Sequence, residues 1–214
     1  TGFDVASIQY GFCNLDNTKV STKEKDLSVS NLKDLKLESG KTYTVKCPNK
    51  EGDYALYVQV TDEGGNTGAY ISNGFFIDRT APQITPELIE TDGNKKDLTE
   101  AVKNNEEVYT KQNIHAKFTL KEAHLDPSTV NVTIAATELG EDGTWQSISS
   151  LDSYVSEKAE EIRNALSGDR IEEQTAECDF TENANYTVEI KAKDKAGFSK
   201  SVTCLLYTSP SPRD

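Results

Sequence analysis

Two stretches of the chain match at a fixed offset of 132 residues, and this repeat constrains the fold more than any other feature. The first is DYALYVQVTDEGGNTGAY, Asp53 to Tyr70; the second is NYTVEIKAKDKAGFSKSV, Asn185 to Val202. Tyr54 falls on Tyr186, Val58 on Ile190, Asp62 on Asp194, Gly65 on Gly197 and Thr67 on Ser199. A cysteine precedes each tyrosine, Cys47 by seven residues and Cys178 by eight. A repeat at this spacing points to tandem modules of one fold, and 214 residues leave room for two modest domains.

The repeated unit has a direct physical reading. Tyr54, Leu56, Val58 and Val60 alternate with Ala55, Tyr57, Gln59 and Thr61, the period of a strand with one buried face. Asp62 to Asn66 then reads as a turn, because Asp bonds its local backbone and Gly65 can take positive φ. Strand character resumes from Gly68 to Asp78 and closes a hairpin. In the second copy Tyr186, Val188 and Ile190 alternate with Thr187, Glu189 and Lys191, so one face is plainly solvated, as in antiparallel sheets.

DRTAPQIT, Asp78 to Thr85, follows the first hairpin. Pro82 and Pro86 remove backbone donors and stiffen the path, which places a boundary there: one module over 1–80, another over 81–203. The second module opens with the strand Gln83-Ile84-Thr85. It continues with alternation through Ile114, Ala116, Phe118 and Leu120, then Val130, Val132 and Ile134, and a short strand near Trp145. In the first module the candidates are Val5 to Phe12, Leu27-Ser28-Val29, Leu35-Lys36-Leu37 and GKTYTVKC, Gly40 to Cys47. Short strands separated by Gly, Asp, Asn and Pro turns predict all-β sandwiches. One segment breaks the pattern. Leu151, Val155, Ile162 and Leu166 recur at helical spacing, with Tyr154 and Ala159 beside them and Gly168 as a stop. This predicts an amphipathic helix over about 151–166, capping a sandwich edge or presenting a binding surface.

The net charge of -13 argues against nucleic acid and anionic membranes as partners. No apolar run approaches the roughly 20 residues of a bilayer span. His115 is expected to point outward from its strand and His124 to sit in a polar loop, with no third ligand at zinc spacing. No phosphate loop, Ser-His-Asp set or paired-carboxylate geometry is supported, so no catalytic residue and no cofactor are expected. Calcium near Asp62, Asp78 and Asp92 to Asn94 is weighed against plain turn formation by Asp62 and Asn66. Cys13 and Cys47 either pair or remain isolated buried thiols. Asn131 and Asn185 head NVT and NYT triplets, which also arise by chance.

GDYALYVQVTDEGGNTG followed by FFIDRTAPQIT resembles the closing hairpin and linker of bacterial immunoglobulin-like repeats. Gly52, Tyr54, Asp62, Gly65, Asn66, Asp78, Thr80, Ala81 and Pro82 match the family pattern, and the second module keeps Tyr186, Asp194, Ala196 and Gly197. It departs at Phe198, where Asn is expected, and at Asn185. The resemblance implies tandem immunoglobulin-like β-sandwiches, the second with an inserted helix. It also implies a non-catalytic spacer or stalk in a bacterial surface or secreted adhesin-like protein, located extracellularly, with adjacent repeats of the same chain as neighbours. Two alternatives remain at this stage: a glycan- or host-protein-binding module, with Tyr57, Tyr70 and Tyr154 as candidate contacts, and an accessory region of a secreted carbohydrate-active enzyme.

The chain ends CLLYTSPSPRD, where the repeat pattern calls for more strand and another D-x-T-A-P. That string resembles a transposase-type sequencing adapter read as coding sequence. On this reading natural sequence ends near Thr203, residues 204–214 are a non-native tail, and the last ten residues pack against nothing. Cys204 then has no role as a partner of Cys178. The absence of Met and the opening Thr1-Gly2-Phe3 point to a fragment cut at both ends. The competing reading of the tail is a genuine Ser/Pro linker.

Overall fold

The structure, a computed structural model, describes residues 5–15, 32–36, 42–91, 95–104, 106, 108–168 and 173–208. The chain divides into two compact units, Thr1–Arg79 and Thr80–Asp214. It is an all-β, multi-sheet architecture with one long inserted helix.

Unit 1 contains β1 (Val5–Asn14), β2 (Lys33–Asp34), β3 (Gly52–Asp62), β4 (Thr67–Ile71) and β5 (Phe75–Ile77). They form one sheet in the order β2-β1-β3-β4, with β5 also on β3. All of these pairings are antiparallel. The expected strand from Gly68 to Asp78 is broken at Ser72, Asn73 and Gly74, so two short strands pair with one long one. Ser72 bridges the break, its Oγ accepting from Leu56 N at 2.9 Å. GKTYTVKC is corrected: residues 42–47 form no strand, although Tyr43 and Val45 are half-buried and their neighbours exposed. The chain there keeps the alternation of an extended segment without joining a ladder. Leu27-Ser28-Val29 lies outside the described residues. A two-sheet sandwich was expected here; among the described residues unit 1 has a single sheet.

Unit 2 holds two sheets. β6 (Gln83–Glu90), β8 (Ile114–Lys121) and β11 (Glu173–Phe180) pair in the order β11-β8-β6. β7 (Val108–Thr110), β9 (Asn131–Leu139), β10 (Trp145–Ser147), β12 (Ala184–Lys193) and β13 (Ser199–Thr208) form the second, in the order β10-β9-β12-β13-β7. Only β13 with β7 is parallel among these pairings. Pro86 sits in the outermost strand of the three-stranded sheet, where a missing donor is tolerated. Alternate residues of both sheets meet in one core. Ile114, Phe118 and Phe180 come from one sheet and Tyr186, Val188 and Leu206 from the other, all 0% exposed. Interdigitated inner faces of this kind make a sandwich-like unit.

A short helix α1 (Thr99–Lys103) follows β6, and a longer one, α2 (Asp152–Leu166), lies between β10 and β11 in sequence. The longer helix buries Val155, Ile162 and Leu166, the face read from the sequence, against β9 and β11. Gly168 bonds Gln174 through both its N–H and its carbonyl as the chain turns into β11. No helix among the described residues is long and apolar enough to cross a membrane.

The C-terminal strand corrects another expectation. β13 runs through Thr208, with Cys204 and Leu206 buried and Thr208 5% exposed. Thr208 Oγ1 donates to Glu182 O at 2.7 Å. Val202, Cys204, Leu206 and Thr208 stay in phase with the inward residues of β12, and Leu-Leu-Tyr-Thr suits a pleated strand. These side chains pack as they do whatever the origin of their codons. Residues 209–214 lie outside the described residues.

Candidate functional site

The motif shared by the two hairpins is built the same way in both. Tyr54 Oη donates to Lys50 O at 3.1 Å, and Tyr186 Oη donates to Glu182 O at 2.8 Å. At the far end, Asp62 N donates to Asn66 O and Asp194 N to Phe198 O, both at 3.0 Å. Gly65 N donates to Asp62 O at 3.0 Å and Gly197 N to Asp194 O at 3.2 Å. The two glycines take φ of 81° and 103°, a region most side chains avoid. Each aspartate folds back onto its own turn: Asp62 Oδ1 accepts from Asn66 N at 2.8 Å, and Asp194 Oδ1 from Phe198 N at 2.9 Å. Phe198 therefore replaces Asn without disturbing the turn, because the bond comes from its backbone. Across each hairpin Val58 pairs with Tyr70 and Ile190 with Val202, one register.

The aspartates differ in setting. Asp62 is solvated; the Asn66 side-chain amide, and then its backbone N–H, hold its carboxyl below the usual carboxylate range. Asp194 is 2% exposed and its Oδ2 is buried without a partner. Asp62 is thus engaged in forming its turn. Asp78 follows β5; Asp92 to Asn94 lie outside the described residues.

The two candidate binding tyrosines of unit 1 are not brought together. Tyr70 pairs with Val58, so Tyr57 lies on the opposite face of that sheet. Tyr70 is 65% exposed, whereas Tyr57 is half-buried and donates to Gln59 Oε1 at 3.1 Å. Tyr154 is half-buried on α2. It donates to Asp179 O, accepts from Thr181 N, both at 3.0 Å, and packs on the ring of Tyr186 at 6.3 Å. Its hydroxyl ties the helix to the β11–β12 connection rather than standing free.

Cys13 and Cys47 do not pair. Cys13 is buried and Cys47 exposed, and burial raises the Cys13 thiol. Cys178 and Cys204 are also free, and burial pushes both up to about 12. His115 is half-buried on the outer face of β8, with Nδ1 2.7 Å from Asp179 Oδ1. His124 N donates to Glu122 Oε1 at 2.9 Å in the connection after β8.

Two features carried no sequence signal of function. A cleft of about 300 Å³ in unit 1 is lined by Tyr10, Phe12, Lys33, Lys46 and Cys47 among others. On the outer face of unit 2, Trp145 lies 52% exposed beside Leu139 at 60%, and meets the ring of Tyr207 at 5.8 Å. The pairing of Trp145 with Leu139 was hidden because it depends on the register of β9 with β10. Compared with known proteins, the chain matches no family model and no curated protein sequence.

Proposed function

We propose that the two units are non-catalytic immunoglobulin-like modules, serving as spacers in a bacterial surface or secreted adhesin-like protein. The observation that carries this reading is the hairpin built twice at one offset, with the same tyrosine bond, aspartate turn and register. A tyrosine at the start of a central strand, bonded to backbone a few residues upstream, is characteristic of immunoglobulin sandwiches.

Strand order in unit 2 also supports it. β6-β8-β11 matches an A-B-E sheet and β9-β12-β13 a C-F-G sheet, with α2 standing in chain order where strand D would be. In unit 1, β1, β3 and β4 repeat the C-F-G part. Repetition of a structural device, with side chains spent on turns and packing, suits a part that sets distance. An extracellular location and adjacent repeats as neighbours follow from the same reading.

Single-molecule pulling on the chain tests it. Two unfolding events are expected, with length gains near the extended lengths of 79 and 135 residues, roughly 280 and 470 Å. Unfolding without measurable resistance would count against a spacer, and hydrolysis of a glycan by the purified chain would overturn the non-catalytic reading.

A further inference from the structure

The outer face of the β10-β9-β12-β13 sheet displays the chain's single tryptophan. Trp145 and its cross-strand partner Leu139 are two of the large apolar side chains left exposed on the molecule. Exposed apolar residues are ordinarily scattered singly; neighbours forming a patch mark a contact surface. Trp145 and Tyr207 start three strand spacings apart, roughly 14 Å. Their ring centroids nevertheless lie 5.8 Å apart at 59°. Both side chains therefore lean across β9 and β12 and lie along the sheet. On the two strands between them lie Thr137 and Asn185, paired with each other. Asn185 also pairs with Tyr207, and its Oδ1 is buried without a partner. Thr187 is next along the same face. None of these six residues is charged, in a chain that is 28% charged with a net charge of -13.

We propose that this face binds a neutral oligosaccharide. A pyranose ring has an apolar C–H face that packs on an aromatic plane, and a rim of hydroxyls that both donate and accept. Trp145 and Leu139 supply the plane; the Asn185 amide N–H groups donate, and the Thr137 and Thr187 hydroxyls supply partners of both kinds. These six residues offer no counter-charge to an anionic or cationic ligand. A purely apolar protein partner would take the Thr137 and Thr187 hydroxyls out of water with nothing in return, a cost that a sugar's hydroxyls avoid. Tyr207 lies in the adapter-like stretch. The site rests on Trp145, Leu139 and Asn185, all upstream of it. The inference goes beyond the spacer reading and can fail without it.

Because Trp145 is the only tryptophan, its emission reports this face alone. The experiment titrates the full chain with cello-, xylo-, manno- and chito-hexaose up to about 10 mM, the weak end of measurable affinity. The expected result is a saturable emission change with at least one sugar. Leu139→Ser, an exposed position that folding tolerates, and Asn185→Ala are each expected to weaken that response tenfold or more. Tyr70→Ala in unit 1 is expected to leave it unchanged. Silence with all four sugars would overturn the proposal. So would a response that both unit 2 variants retain, or an emission change driven by protein concentration alone, which would mean that a second copy covers the face.

Discussion

At the start of β3 and of β12 a tyrosine donates to the carbonyl four residues upstream, yet the surroundings of the two differ. Tyr186 is 0% exposed and packs against Phe180 at 4.9 Å and Tyr154 at 6.3 Å. Burial, with Tyr154 and Glu182 nearby, raises its hydroxyl well above the ordinary range. Tyr54 meets Phe75 at 6.3 Å, and the next inward residues of its strand, Leu56, Val58 and Val60, are only half-buried. In β12 the matching Val188, Ile190 and Ala192 are at most 2% exposed. The hairpin is therefore specified by its own residues, while its burial is supplied by what faces it. In unit 2 the β11-β8-β6 sheet and α2 face it; among the described residues of unit 1 no second sheet does.

The largest test of this contrast lies where the hairpins diverge. Leu206 pairs with Tyr186, and Phe75 pairs with Tyr54 in the corresponding place. Leu206→Ala is expected to cost unit 2 about 2 to 5 kcal/mol, as for a fully buried leucine. Phe75→Ala is expected to cost unit 1 only about 1 to 2 kcal/mol, because the larger side chain is half-buried. Urea unfolding reads both, through Trp145 emission for unit 2 and thiol labelling of Cys13 for unit 1. Equal losses would show that the enclosure is the same in both.

The turns provide the next comparison. Asp194→Ala removes the carboxylate that accepts from the Gly197 and Phe198 backbone N–H groups at a buried site, and is expected to cost about 2 to 3 kcal/mol. Asp62→Ala, at a solvated turn, should cost clearly less. Asp62 carries a pH signature as well. Its folded-state pKa lies below the ordinary aspartate value, so its contribution is present above that ordinary value. It is lost as pH falls through the lower folded value. Unit 1 should therefore lose stability in acid, and Asp62→Asn, which keeps an acceptor but not the charge, should flatten that part of the profile.

Smaller effects sharpen the picture. Tyr54→Phe and Tyr186→Phe each delete one hydroxyl bond and should each cost about 1 kcal/mol. A loss at only one of them would mean that the repeated geometry is energetically used once. Thiol labelling at neutral pH should give one adduct on the folded chain, at exposed Cys47, and four on the unfolded chain, without any effect on stability. The thiolate is the reactive form, and burial keeps Cys178 and Cys204 protonated. Early labelling of Cys204 would show that the end of β13 opens.

The amino-acid sequence by itself determined the local devices. Period-two alternation located β3, β8, β9 and β12; the Asp-to-Gly spacing located both turns; the recurrence of Val155, Ile162 and Leu166 located α2. Each depends on residues within a few positions of one another, whose φ/ψ preferences and hydrogen bonds act before any distant contact forms. Only the tertiary structure decided what depends on strands far apart in sequence. Register set Tyr57 and Tyr70 on opposite faces, because a one-residue shift inverts every side chain. The helix met the β11–β12 connection and turned Tyr154 into a tie. β12 drew residues 205–208 into its sheet, since an exposed strand edge offers donors and acceptors to any extended segment of matching phase. The pairing of β9 with β10 set Trp145 beside Leu139, and long-range pairing of this kind is not written in either segment alone.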